Sequence, residues 1–337
     1  MGEVEISVIV PTRNALPFLE RCLRSIEQQT FRSFEVIVVN DGSDDGSAAW
    51  LDERLAQKPA YRVVHHELSQ GLSAARNHGI ALARGRFLAF LDADDWFEPT
   101  MLETLHRAAL STQSQVAHIV REICTNEGPF VQPREEVVRV LDGVGAAVEM
   151  LEQEEYAVWS RLYDARLVKS LGPEPFPVGL TCEDRVFNMR VLPLASRAAE
   201  SNRVEYHYFM NMGSISLGGL SQRAMQILEA DELMVGYARA SGDERLVKLA
   251  LDRQAKGAFS MLVKYARFGI TDDALRGQAG HDALRMLRQR FVSDYPRLAA
   301  SPLPASKRLV AWQLRYMPAL VRAEFAIYNV VTGKGRG

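Results

Sequence analysis

Three carboxylates, Asp92, Asp94 and Asp95, stand together in RFLAFLDADDWFEP, residues 86 to 99, directly after the apolar run Phe87 to Leu91. Two chemistries are open to them. One aspartate can cap a helix that begins near Pro99 while the others are solvated, which is the ordinary fate of an isolated D-x-D. Alternatively, they hold a hard divalent cation, Mg²⁺ or Mn²⁺, whose coordination is completed by phosphate oxygens of a substrate. The context favours the cation, because three acids at the end of a buried strand repel one another without one. Two further clusters are ambiguous by themselves. In NDGSDDGS, Asn40, Asp41, Gly42 and Ser43 are good material for an Asx-turn. In CEDRVF, Glu183 and Asp184 read as acids favoured in the first turn of a helix.

GLSAARN sets Gly71, Ser73, Ala74 and Ala75, all small, beside Arg76 and Asn77. Small residues let backbone approach a ligand closely, and a helix N-terminus attracts anions. Arg76 has two readings, a contact on the side of an anionic ligand or an ion pair with the aspartate cluster.

These residues need elements to position them. ISVIV (6–10), FEVIVVND (34–41), YRVVHH (61–66) and RFLAFL (86–91) are short apolar runs of strand type. Between them, PFLERCLRSIEQQ (17–29), SAAWLDERLA (47–56) and LSAARNHGIALA (72–83) have helical character. The alternation predicts an α/β fold, a mainly parallel sheet with helices on both faces. In such sheets ligands bind beyond the carboxyl ends of the strands. Thr12 to Asn14, Asn40 to Asp44 and Asp92 to Asp95 are therefore expected to line one crevice. Residues 100–215 are less regular, with loops at 128–133 and 172–179, and the chain after about residue 220 reads as almost wholly helical. The expected organisation is a domain of residues 1–218, with halves 1–110 and 111–218, and a helical module of 219–337.

Composition narrows the classes. The 337 residues are 47% hydrophobic and 24% charged, as in ordinary globular proteins. Forty basic against 42 acidic side chains give a net charge of −2, so no overall field favours nucleic acid. Cys22, Cys124 and Cys182 lack the spacing of a zinc site or a disulfide framework and fit a reducing cytosol. The start MGEVEISVIVP lacks the basic n-region of a signal peptide, and no window supplies the ~18 apolar residues of a membrane span. A cytoplasmic location is expected, with peripheral contact at the membrane's inner face as an option.

Together, PTRNALPFLERCLRSIEQQTF, FEVIVVNDGSDDGS, GLSAARNHGIALARGRFLAFLDADD and CEDRVFNMRVL resemble family 2 glycosyltransferases, inverting GT-A-fold enzymes that use nucleotide-sugar donors. The resemblance is strong over residues 4 to about 110, looser to about 216, and absent from the helical remainder. It implies a UDP-sugar as the donor, with Asp41 on the uracil and Asp92 and Asp94 on the metal, Asp94 directly. Asp95 is expected to support the loop. The remaining implied donor contacts are Pro11, Thr12, Asn14, Asp44, Gly71, Ala74, Arg76 and Ala93. A sugar hydroxyl needs its proton accepted as it attacks, and the resemblance assigns that role to Asp184, with Glu183 in support. An α-linked donor then gives a β-linked product.

On the acceptor side, AVWSRLYDARLV (157–168) resembles a helix of related enzymes, in which Trp159 either stacks on a sugar or packs in the core, with Arg161 beside it. VEYHYFMNMGSIS (204–216) resembles a loop in which relatives often carry arginines that close over the diphosphate, but Phe209 and Asn211 stand in their places. That leaves His207, Tyr208, Ser214 and Ser216 as candidates. The acceptor class implied is a saccharide or lipid-linked oligosaccharide of a bacterial surface polymer.

Two rivals stand beside this reading. A sugar nucleotidylyltransferase has a similar core, but PTRNALPF is the wrong loop for its phosphate chemistry. A nucleotide-sugar-binding subunit without catalysis is the other. The C-terminal residues 307–337 carry Lys307, Arg308, Arg315, Arg322, Lys334 and Arg336 against Glu324, interleaved with Trp312, Tyr316, Phe325 and Tyr328. That segment suits an anionic membrane surface, or packs on the helical module or a second copy as a homodimer face.

Overall fold

The computed structural model describes residues 4–124, 132–210 and 218–332. These fall into two compact units, 4–179 with 183–210, and 180–182 with 218–332. The first unit carries the sheet and the second is helical.

In the first unit, β1 (Ile6–Thr12) and β2 (Phe34–Asp41) are buried along nearly their whole length, as strands of a sheet covered on both faces must be. β1 pairs parallel with β2, β3 (Tyr61–His66) pairs parallel with β2, and β4 (Phe87–Phe90) lies parallel on the other side of β1. The crossovers are α1 (Leu16–Glu27), α2 (Ser47–Leu55) and α3 (Leu72–Leu82). Thr12 lies opposite Asn40, and Asp41 opposite His66, so the carboxyl ends of these strands share one edge.

Two glycines set the packing distances. A Cβ at Gly79 would lie 2.5 Å from Ile9 Cγ2, so its absence lets α3 settle onto β1. A Cβ at Gly85 would lie 2.5 Å from the Ser7 nitrogen, which fixes the entry into β4 against the start of β1.

The rest of this unit contains β5 (Trp96–Phe97), α4 (Met101–Thr112), β6 (Val116–Cys124), β7 (Val138–Leu141), α5 (Gly143–Gln153), β8 (Arg161–Asp164), α6 (Ala165–Lys169), α7 (Glu183–Val191) and β9 (Ala198–Phe209). The sheet order is β3-β2-β1-β4-β8-β6-β9-β5, with β7 also paired to β9. The sheet is therefore parallel from β3 to β4 and mixed beyond it, because β8 enters antiparallel between β4 and β6.

Two segments differ from the sequence reading. Residues 161–164 form a strand and not part of a helix, because Leu162 is paired on both sides, with Ala89 of β4 and Ala117 of β6. The helix starts only at Ala165, where the Asp164 side chain accepts the backbone N–H groups of Arg166 and Leu167. Residues 204–209, read as a loop, continue β9 alongside β6.

The second unit holds α8 (Gln222–Ser241), α9 (Glu244–Phe268), α10 (Gln278–Ala300), α11 (Ala305–Tyr316) and α12 (Pro318–Thr332). Ser221 and Asp243 cap α8 and α9 by accepting the N–H groups of Ala224 and Leu246. Leu228, Phe259, Leu262, Leu287, Phe291 and Leu298 form its core. Among the described residues, no helix is long and apolar enough to cross a membrane.

Two alanine substitutions are expected to move stability in opposite directions. Gly85→Ala drives a methyl into backbone and should cost about 1–3 kcal/mol. Gly236→Ala, inside α8 with nothing within 4 Å of its new Cβ, should gain about 0.5–1 kcal/mol. Urea midpoints of the two variants check both signs.

Candidate active site

The site is organised around Arg76 on the small-residue helix α3. Its side chain is fully buried, and its guanidinium reaches three carboxylates from two distant stretches of chain. Nη1 donates to Glu183 Oε1 at 2.8 Å and to Asp184 Oδ1 at 2.6 Å, while Nη2 donates to Asp92 Oδ1 at 2.8 Å. Of the two readings for Arg76, this is the ion pair with acids. Burial alone would ease the loss of the Arg76 proton, but the charges of Asp184, Asp92 and Glu183 outweigh it and hold the guanidinium charged.

The next residue fixes the approach to α7. Asn77 donates its amide to the Phe176 carbonyl and accepts the Phe176 N–H, at 2.8 and 2.9 Å. Phe176 stacks on Phe187 of α7, with ring centroids 4.1 Å apart and planes 4° from parallel. Adjacent residues of α3 thus hold the start of α7, one by charge and one through the loop before it. Burial, with Glu183 and Asp92 adding to it and Arg76 opposing it, pushes the Asp184 carboxyl well above the usual carboxylate range. A raised carboxyl is what a general base working near neutrality requires.

The D-A-D-D turn is held mainly through its backbone. Arg21 of α1 donates to the Asp94 carbonyl at 2.7 Å and lies over the Trp96 ring, 4.0 Å from its centroid. Asp95 is buried; its two oxygens accept the Tyr206 hydroxyl at 2.6 Å and the Phe209 N–H at 2.8 Å, which fastens the turn to β9. Ala93 is buried between the acids. These contacts leave the Asp94 carboxyl without an ion pair among the described residues, and burial together with the Asp92 charge pushes its pKa up to about 6.

The loops after β1 and β2 bond to each other. The Asn14 N–H donates to Ser43 Oγ at 2.9 Å, and the Asp44 N–H donates to Asn14 Oδ1 at 3.0 Å. Asn14 adopts a left-handed conformation, φ 50°, which asparagine tolerates better than most residues. The Asp44 side chain is exposed, while Pro11 and Thr12 are buried. Thr12 Oγ1 has no hydrogen-bond partner among the described residues.

Asp41 is buried and takes four donors: His66 Nδ1 at 2.7 Å and the Gln70 N–H at 2.8 Å on one oxygen, Ser69 Oγ at 2.7 Å and the Gly71 N–H at 2.8 Å on the other. Burial raises its pKa, but these donors outweigh it and the carboxyl titrates below its ordinary range. Asp41 thereby ties β2 to the turn in which Gly71, φ 94°, opens α3; Gly71 is exposed and Ala74 half-buried.

The acceptor candidates lie deeper than expected. Trp159 is 4% exposed and stacked on Tyr206 and Tyr208. Arg161 is buried with its guanidinium on the carbonyls of Ala157 and Glu155. His207 is 2% exposed, stacked on Trp96 and bonded to Glu98. None presents an open face in this structure, because each is packed against the rings or carbonyls of its neighbours. Ser214, Ser216 and Asn211 lie outside the described residues.

The sequence assigns no role to Arg21 or Tyr206, and marks Asn77 only as the neighbour of Arg76. The partners of Arg21, Asn77 and Tyr206 are 73, 99 and 111 positions away, and no local pattern marks such contacts.

The donor set can be weighed against the expected cation. No group of three or more metal-ligating side chains occurs among the described residues. One free carboxylate, Asp94, with Asp92 two residues away, nevertheless suits Mg²⁺ or Mn²⁺, which take one or two carboxylates and fill the remaining positions with phosphate and water.

Known proteins agree with this architecture. Glycosyltransferase GlyA of Streptococcus pneumoniae is 33% identical over 223 residues, which is 63% of this chain but 31% of that protein, so the chain spans about a third of this relative's length. Among solved structures, S. aureus TarS 1-349 in complex with UDP-GlcNAc superposes with a TM-score of 0.65 at 21% identity, covering 95% of this chain and 88% of that one. The mannosyltransferase PcManGT from Pyrobaculum calidifontis, in complex with GDP-Man and Mn²⁺, gives 0.52 at 17% identity, covering 96% and 87%. Residues 7–173 match the family model described as Glycosyl transferase family 2. Strand order, acidic edge and these likenesses converge on one assignment: the chain belongs to family 2 of the glycosyltransferases, with a GT-A-type fold.

Proposed function

We propose that this protein is an inverting glycosyltransferase that moves a sugar from a nucleotide-sugar donor, a UDP-sugar, to a hydroxyl of a saccharide or lipid-linked acceptor in bacterial surface polysaccharide synthesis. The observation that carries the proposal is the Arg76 bridge. One buried cation joins Asp92 of the D-A-D-D turn to Glu183 and Asp184, which brings acids suited to a diphosphate-bound cation beside acids suited to accept a proton. TarS and PcManGT, solved with UDP-GlcNAc and GDP-Man, support a nucleotide-sugar donor.

In this proposal Asp184 is the base. Its Oδ1 faces Arg76, so Oδ2 receives the acceptor's proton as that oxygen attacks the anomeric carbon from the face opposite the diphosphate. Glu183 shares Arg76 and keeps the pair in register. Asp94 and Asp92 are the residues that would hold Mg²⁺ or Mn²⁺, which would supply positive charge against that developing on the leaving nucleoside diphosphate. Thr12, Asn14 and Asp44 border the nucleoside; the Thr12 hydroxyl is buried without a partner among the described residues and must turn outward to reach it. For Asp41 to accept a uracil N–H, one of its four donors must yield. Ser69 Oγ is the candidate, since a hydroxyl rotates freely and the backbone donors do not.

The test is nucleotide release from UDP-, GDP- and dTDP-sugars with Mn²⁺ or Mg²⁺, beside Asp94→Asn and Asp184→Asn. Acceptor-dependent release with one donor is expected, with losses of at least about 100-fold in Asp184→Asn. Pyrophosphate production from a sugar phosphate would point to a nucleotidylyltransferase instead, and donor binding with no turnover on any acceptor to a non-catalytic subunit. Arg76 supplies a second test. Arg76→Met should lower stability by about 3 kcal/mol, because it leaves three partly buried carboxylates without their cation. Arg76→Lys should fold but lose at least about tenfold in kcat with a smaller change in donor KM, since an ammonium cannot reproduce a planar fork across three carboxylates.

A further inference from the structure

The C-terminal helices α11 and α12 differ from the rest of the helical unit in what they leave exposed. On α11, Leu309, Trp312 and Tyr316 recur at i, i+3 and i+7, one helix face, and are 56%, 45% and 60% exposed. Met317 and Leu320 extend this surface across the break before Pro318, and Ile327, seven residues beyond Leu320, repeats it on α12 at 65% exposed. Only Ala311, Gln313 and Val321 of the described side chains on these two helices are buried. Single exposed apolar side chains need no explanation, but an aligned set on consecutive helices marks a contact surface.

The charges around this face are one-sided. Arg308 and Arg315 sit one turn to either side of Trp312 along α11, and Lys307 and Arg322 lie on the same two helices. None of the four makes an ion pair among the described residues; Arg315 and Arg322 lie over the rings of Tyr316 and Tyr265. Glu324, the single acid in residues 305–328, accepts the Gln313 side-chain amide at 3.0 Å. The surface therefore combines aliphatic side chains, amphipathic aromatic rings and unpaired cations.

We infer that α11 and α12 form a docking face for an anionic lipid surface, with Leu309, Trp312, Tyr316, Leu320 and Ile327 entering the interfacial layer and Arg308, Arg315 and Lys307 on the headgroups. Charge complementarity selects this occupant. A two-fold contact between copies would gather the Arg308 and Arg315 cations of both copies into one interface, whereas anionic headgroups attract each basic residue by roughly 1 kcal/mol near the surface. Tryptophan and tyrosine suit the boundary because their rings are apolar and their N–H and O–H groups stay hydrated. The inference goes beyond the proposed transfer reaction and does not depend on it: failure of vesicle binding would leave the catalytic reading intact, and the reverse holds too.

The experiment is co-sedimentation of the full chain with vesicles of phosphatidylcholine alone and of phosphatidylcholine mixed with phosphatidylglycerol. Binding is expected only to the anionic vesicles, falling as salt rises. Arg308→Gln with Arg315→Gln should weaken it about 30-fold, and Trp312→Ala with Tyr316→Ala by at least about tenfold. Arg308, Trp312 and Tyr316 are exposed and Arg315 is half-buried, so unchanged thermal midpoints will show that the variants fold. Absence of binding to anionic vesicles, or equal binding by both double variants, would overturn the proposal. So would a concentration-dependent dimer that both variants abolish while vesicles bind neither form.

Discussion

One buried guanidinium sets the terms for the rest of the site. Three carboxylates converge at Arg76, and without a cation among them the end of β4 and the start of α7 would repel each other in a poorly hydrated place. Arginine suits the position because its charge persists under burial and its planar fork addresses several oxygens at once. The small residues of α3 follow from this requirement. Gly79 and Ala75 let the helix lie close against the sheet, which places the guanidinium among acids from both sides.

The acids are used unequally, and the inequality is what gives the site its chemistry. Asp92, Glu183 and Asp184 share Arg76, Asp95 is spent on Tyr206 and the Phe209 N–H, and Asp41 is spent on four donors. Asp94 is spent on nothing among the described residues, although its backbone is gripped by Arg21. A carboxylate on a fixed backbone with a free head is prepared for a ligand. Its titration near 6 expresses the same fact, for its burial and the neighbouring Asp92 charge outweigh its own backbone N–H and the Arg21 charge. A bound cation would replace that missing stabilisation.

The helical unit obeys a different constraint. Its core closes around α8, α9 and α10, where Leu287, Phe291 and Leu298 are almost inaccessible. α11 and α12 add Ala311 and Val321 to that interior and turn much larger apolar side chains outward. Burial cannot explain the aromatic content of these helices. Two consecutive helices that keep Trp312, Tyr316 and Ile327 in water invite a partner with an apolar boundary.

The amino-acid sequence determined most of the parallel half of the sheet. Apolar runs of strand length, separated by segments of helical period, specify alternating elements, and a parallel sheet follows because each helix must return the chain to the same edge. That chemistry also placed Thr12, Asp41 and Asp92 at one sheet edge, since the register of β1, β2 and β4 depends on the same apolar pattern. Tertiary structure decided what local pattern leaves ambiguous. AVWSRLYD fits a helix as readily as a strand, and pairing of Leu162 on both sides chose the strand. The partner of Arg76 was open between a ligand and the acids, because Asp184 is 108 positions away and only folding brings it within 2.6 Å. Trp159 and His207 have types suited to sugar contact, yet the stacking of β9 turned them inward. Local propensity carries information over a few turns of chain; the exposure of a face and the partner of a charge depend on contacts that no short stretch of sequence contains.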